Sequence, residues 1–196
     1  MKIPKLKYFV QLLVSSLFIV ACSSDNISPE EPIQDDCLRI GDFHQGGIIF
    51  YIDHTNQHGL IAAGIDQSDA ALWGCQDTTI ETAVARDIGY GQENTLAIVN
   101  NCSDNNIAAK ICAELSLNGF NDWFLPSVHE LELLYHYKNL VGGFAEGHYY
   151  SSSERKYEDK YENAATIDFT SNLSNPHRLK FINKSVPARV RAIRKF

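Results

Sequence analysis

The order in which hydrophobic periodicity changes along this chain restricts its fold more than any other feature. Gly46-Gly47 opens onto Ile48-Ile49-Phe50-Tyr51-Ile52, a β-branched and aromatic run of the kind found in buried strands. A polar turn from Asp53 to Gly59 leads to Leu60-Ile61-Ala62-Ala63, so the two runs predict a hairpin. Helical patterns follow. Asn94 and Thr95 can start a short helix through Val99. Ser103 or Asp104 can cap a second, in which Ile107, Ala108, Ile111, Cys112 and Leu115 share one face and Gly119 suits the position past its end. Ser127 with Glu130 three residues on is a capping box opening another helix, with Val128, Leu131, Leu134 and Tyr135 as its buried stripe and Gly142-Gly143 as its stop. Strand patterns return over 148–153, 164–169, 179–182 and 188–193. In the last of these Arg189 and Arg191 fall on one face, Val190 and Ala192 on the other. Helices grouped between strands, without βαβ alternation, predict an α+β domain: an N-terminal β-hairpin, two to three helices, then a C-terminal antiparallel sheet.

The first residues do not belong to that domain. Lys2, Lys5 and Lys7 precede an apolar stretch from Phe9 to Ala21, thirteen residues long. A membrane-spanning helix needs roughly 20 residues, so the pattern reads as a secretory signal over 1–21. Ile19-Val20-Ala21-Cys22 resembles the lipobox of bacterial lipoproteins, which implies cleavage before Cys22 and lipid on that cysteine. Acyl chains on one residue anchor firmly, because each buried methylene contributes about 0.8 kcal/mol. Residues 22–36 are acidic and proline-containing, with two isoleucines as their apolar side chains, and predict a flexible tether. The expected location is the cell envelope, at the outer membrane, with the face left open. Residues 37–196 then form one domain of ordinary size.

Loss of the three signal lysines takes the formal charge from −7 to −10. Residues 178–196 nevertheless hold seven basic side chains and no acid, leaving −17 on residues 22–177. Such asymmetry predicts either an anionic partner or a basic strand neutralised by the rest of the fold. No nucleic-acid partner is expected. With Cys22 assigned to lipid, Cys37, Cys75, Cys102 and Cys112 remain, an even number that suggests two disulfides in one of three pairings. Spacings of 38, 27 and 10 contain no zinc-knuckle pair, so neither a metal nor another cofactor is expected. Cys102 and Cys112 flank one helical segment and make an awkward pair, which favours Cys75–Cys102 with Cys37–Cys112.

The segments GGIIFYIDHTNQHGLIAA (46–63), WGC (73–75), IGYGQENT (88–95), GFNDWFLPSVHELELLY (119–135), YYSSSE (149–154) and VRAIRKF (190–196) together resemble the Lcl C-terminal domain family. The family is named for a collagen-like adhesin, and the resemblance covers nearly all of 46–196 in the expected order. It implies a C-type-lectin-like fold and, from the family's namesake, binding of sulfated glycosaminoglycans. The chain has no collagen-like Gly-X-Y stretch, so trimerisation is not implied.

Candidate binding residues are Arg189, Arg191, Arg194 and Lys195, helped by Lys180 and Lys184. In a row on one face they could hold sulfates or carboxylates by charge-assisted hydrogen bonds. The competing reading pairs these cations with acids such as Glu130, Glu132 or Glu154. Trp73, Trp123 and Phe124 could stack on sugars, but large aromatics next to Leu125-Pro126 read more naturally as core. His54 and His58 bracket a turn beside Asp53, and His129 and His136 are seven apart, which suits no zinc-protease motif. Ser151-Ser152-Ser153-Glu154 near His148 lacks a nucleophile elbow or oxyanion hole, and the chain is expected not to be an enzyme. The preferred function is an envelope lipoprotein whose domain binds an anionic or sulfated polysaccharide in adhesion or capture. The alternative is a structural or assembly lipoprotein that binds an envelope protein.

Overall fold

The computed structural model describes residues 37–76, 78–155, 162–170 and 178–196. Residues Leu38–Phe196 form one compact unit. Its class is α+β, with two sheets and four short helices among the described residues. No described helix is long and apolar enough to cross a membrane. The signal, Cys22 and the tether lie outside the described residues.

The first sheet contains β1 (Phe43–His44), β2 (Gly47–Ile52), β3 (Gly59–Ala62) and, from the far end of the chain, β9 (Ile193–Lys195). The expected hairpin is present: β2 and β3 pair antiparallel, with Ile48 opposite Ala62 and Ile52 opposite Gly59. Its turn is closed locally, because the Asp53 carboxylate accepts from the Thr55 amide at 3.0 Å and the Thr55 hydroxyl at 2.6 Å. The second sheet has the order β4 (Ser68–Ala71), β8 (Ala188–Val190), β5 (His148–Glu154), β6 (Asn163–Asp168) and β7 (Leu179–Asn183).

Two expectations about the C-terminal sheet need correction. It is mixed rather than antiparallel, because β5 runs parallel to β8 with Tyr149 opposite Arg189. The strand expected over 188–193 is also two strands, β8 and β9, which belong to different sheets. Apolar and basic residues alternate from Ala188 to Ala192, past the end of β8 at Val190, and the pattern breaks only at Ile193, where β9 begins.

Helix α3 (Val128–His136) carries the expected capping box. Ser127 Oγ accepts from the Glu130 amide at 3.3 Å, and Glu130 Oε2 accepts from the Ser127 amide at 2.7 Å. Its stripe of Val128, Leu131 and Leu134 is buried with Phe50, Phe124, Tyr149 and Phe169 in one core cluster. A further short helix, α4 (Lys138–Val141), follows before Gly142. The second cluster gathers Trp73, Ile98, Cys112, Trp123 and Tyr150 around α1 (Gly91–Asn101) and α2 (Ala108–Ala113). Trp73, Trp123 and Phe124 are all buried, as the core reading required.

Helix α1 begins three residues earlier than the Asn94 start read from sequence. Asn94 and Thr95 are buried inside it, where Thr95 Oγ1 donates to Gly91 O at 2.7 Å and accepts from the Leu125 amide at 3.0 Å. Only glycine fits at 91, since a Cβ there would stand 2.2 Å from Glu130 Oε2. Helix α2 is shorter than its stripe suggested. Asp104 does not cap it but accepts from the Cys75 amide at 2.9 Å.

Cys75 and Cys102 form the expected disulfide. The other expected pair, Cys37–Cys112, is not formed: Cys112 is a free, fully buried thiol on α2. Cys112 belongs to the apolar cluster with Ile98 and Ala108, where it packs as a small hydrophobe. Burial raises the Cys112 pKa far above the ordinary thiol range, so the nucleophilic thiolate is suppressed. The native protein should therefore leave Cys112 unmodified by a thiol reagent under non-reducing conditions. Peptide mapping should show it labelled only after denaturation, and native labelling would contradict its burial.

Candidate functional site

The basic C-terminal segment was the leading site expected from sequence, and half of its six candidate cations are used internally. Arg191 is completely buried in the gap between β8 and β9. Its Nε donates to Asp66 Oδ1 at 2.8 Å, and its Nη1 to Ala63 O at 2.9 Å and Gly142 O at 3.2 Å. Nη2 reaches Gly143 O and the same Asp66 oxygen, and the guanidinium lies over Phe144 with its central carbon 3.9 Å from the ring centroid. Arg194 forks onto Asp122 at 2.6 and 2.8 Å, donates to Gln45 O at 2.9 Å and stacks on Phe120. Lys184 is buried against Glu154, with additional bonds to Cys75 O and Thr78 O, and lies over Trp73. Three of the six candidate cations are thus structural, and no single basic face presents all six.

The other three reach solvent. Arg189 is partly exposed, donates to Glu146 O at 3.1 Å and lies 3.6 Å from Asp66. Lys180 is exposed on β7. Lys195 is exposed on β9, with its ammonium 3.1 Å from Gly89 O. Of the acids named as partners from sequence, Glu154 does pair, with Lys184. Glu130 instead serves the capping box and the Gly89 amide at 2.8 Å. The acids that hold the two buried arginines, Asp66 and Asp122, lie 125 and 72 residues away along the chain. Separations of that size leave no local signal.

Burial acts against charge on both members of the Glu154–Lys184 pair, raising the carboxyl pKa and lowering the ammonium pKa, while the bond between them opposes both shifts. Asp122 behaves differently. The hydrogen bonds from Arg194 are the leading cause that holds its pKa below the ordinary aspartate value.

The serines over 151–153 serve as cross-links. Ser151 Oγ donates to Ala165 O at 2.8 Å, Ser153 Oγ to Ala85 O at 2.7 Å, and Ser152 Oγ to Pro126 O at 3.2 Å. His148 Nδ1 meets Thr166 Oγ1 at 3.2 Å rather than any of them. His129 lies 3.1 Å from Asp87. Among the described residues no group of three or more His, Cys, Asp or Glu is placed to hold a metal ion.

A different arrangement can accept a ligand. At the open end of the first sheet a cavity of about 310 Å3 is lined by Tyr51, Leu60, Ile88 and Phe196, with Asp53, His58 and Lys195 as its polar members. Gly59 makes it possible. The end of the chain approaches so closely, with mutual Gly59–Phe196 backbone bonds of 3.2 and 3.3 Å, that a Cβ at 59 would stand 2.7 Å from the Phe196 ring. The ring is held edge-on by His44, 4.9 Å away between centroids. Apolar walls with a few converging polar groups are the usual makeup of a small-ligand site. Of the residues singled out from sequence, Lys195, His58 and Asp53 meet here. The aromatic walls Tyr51 and Phe196 were not anticipated.

The chain matches no family model, and no curated protein matches it.

Removal of the Lys184 charge by Lys184→Met should leave the Glu154 carboxylate buried without its partner and cost about 3–5 kcal/mol in urea unfolding. A loss below about 1 kcal/mol would mean that water reaches the pair. For Asp122, a lowered folded pKa means that its stabilising contribution is complete above the ordinary aspartate pKa of about 3.9 and is lost as pH falls through the lower folded value. The stability difference between the native chain and Asp122→Asn should be flat from about pH 5 to 8 and shrink only below about pH 4.

Proposed function

We propose that this chain is a lipid-anchored protein of the cell envelope, held at the outer membrane through Cys22. Its folded domain is a non-catalytic binding module that takes an anionic or sulfated polysaccharide in adhesion or capture. The reading includes the C-type-lectin-like fold and the Lcl C-terminal domain resemblance carried by DWFLPS and YYSSSE. The observed α+β class is compatible with both.

The observation that carries the proposal is the cavity beside Lys195. A sugar ring has apolar faces and a polar edge, and the walls offer Tyr51, Leu60 and Phe196 to the first. Asp53 and His58 are suited to hydroxyl groups, and the exposed ammonium of Lys195 to a sulfate or carboxylate. Arg191, Arg194 and Lys184 leave the ligand set, because their charges are already met inside the protein. Arg189 and Lys180 remain as solvent-facing cations for an extended polyanion.

One observation favours a second reading, docking of an envelope protein. Ile88, in the cavity wall, and Tyr90, two residues on, are 42% and 44% exposed. Exposed apolar side chains beside a cavity can accept an anchor from a protein surface.

A glycan array on the oxidised chain from Ser23 onward, beside Lys195→Ala, separates these readings. Selective, salt-sensitive binding to sulfated or uronate-rich glycans should weaken about tenfold in the variant, as expected for one charge-assisted contact. An empty array from folded protein would sink the polysaccharide reading. Recovery of an envelope protein by cross-linking that persists at high salt would replace it with the second.

A further inference from the structure

A second cavity lies elsewhere and does not depend on the polysaccharide reading. Gly142 and Gly143 have left-handed φ values of 74° and 68°. Both of their carbonyls accept from the buried Arg191 guanidinium. In a trans peptide the C=O and the following N–H point in opposite directions. The amides of Gly143 and Phe144 are therefore turned away from Arg191, and neither has a hydrogen-bond partner among the described residues.

A cavity of about 290 Å3 borders the same loop. It is lined by Lys138, Asn139, the loop 142–146 and Phe169, while Arg191, Asp66 and Ala63 are not part of its wall. Lys138 brings an ammonium that makes one bond, to Phe169 O at 3.1 Å, and sits 4.6 Å from the Tyr135 ring centroid. Two of its three protons remain for another acceptor. Asn139 is exposed and adds an amide. The carboxylate of Glu146, also in the wall, is exposed to water, which screens its charge. A side chain is excluded at 143, since a Cβ there would stand 2.3 Å from Gly64 O.

We infer that this cavity is an oxyanion-binding site, in which the Gly143 and Phe144 amides, the Lys138 ammonium and the Asn139 side chain receive a carboxylate, sulfate or phosphate group. Two outward backbone amides next to an ammonium complement the oxygens of such a group and supply no acceptor of their own. Arg191 has an indirect part: by drawing the carbonyls inward, it sets the direction of the amides.

The test is an NMR titration of 15N-labelled protein from Ser23 onward with sodium sulfate, sodium phosphate and sodium acetate, each against chloride at matched ionic strength. The expected result is a saturable shift of the Gly143 and Phe144 amides and the Asn139 side-chain amide. The arm that saturates at the lowest concentration identifies the preferred group. Lys138→Gln should weaken saturation about tenfold. Asn139→Ala, a change at an exposed position, should weaken it too and decides the matter if Lys138→Gln does not fold. Shifts that do not saturate in any arm, that fall on other amides, or that persist unchanged in the folded variants would overturn the site.

Discussion

The Arg191–Asp66 interaction is the constraint on which much of the remaining architecture depends. A guanidinium removed from water is costly unless nearly every donor is satisfied. Arg191 meets that demand with one carboxylate, three carbonyls and the face of Phe144. Those partners come from the end of β3, the loop before β4 and the loop after α4. The bond set holds the point where the chain leaves the second sheet and enters the first. Tyr149 reinforces it: its hydroxyl donates to Asp66 Oδ2 at 2.7 Å, and burial is the leading cause that pushes its pKa up to about 12.

The same economy of charge explains how a strongly basic tail fits an acidic domain. Arg191, Arg194 and Lys184 each meet an acid contributed from a distant stretch of chain. Asp122 sits just before Trp123, Asp66 just after the hairpin, and Glu154 ends β5. Together these pairs stitch the last twenty residues to both sheets and to the Cys75 segment. Backbone bonds also tie β9 to the segment before α3, with Phe124 and Ile193 exchanging N–H and carbonyl contacts at 2.8 and 3.0 Å. Of the six candidate cations, Arg189, Lys180 and Lys195 still face solvent, which makes these three more informative than the net count.

Local chemistry made several elements legible. The hairpin follows from two apolar runs separated by an Asp–Thr turn, and the start of α3 from a box in which Ser127 and Glu130 satisfy each other's backbone. The Cys75–Cys102 pairing was also expected, because Cys102 and Cys112 flank one helical segment and pair awkwardly with each other. Where the reading went astray, a long-range contact had overridden a local preference. Asn94 and Thr95 resemble helix starters, yet they are drawn into α1 by bonds to Ala85, Ser152 and Leu125. Asp104 resembles a cap but is engaged by Cys75. The 188–192 stretch alternates like one strand, yet Arg191, bonded to Asp66, Ala63 and Gly142, sits in the gap that divides it.

What the sequence determined by itself is what acts over a few residues: the α+β order of elements, the turn and cap chemistry, and the excess of base near the end. Tertiary structure alone decided which of those bases are spent. A side chain's availability depends on acids 30 to 125 residues away, and chain spacing carries no record of that. It also decided where chain segments approach too closely for a side chain, as Gly59 does at Phe196 and Gly143 at Gly64. A glycine can be read in a sequence, but the neighbour that requires it cannot.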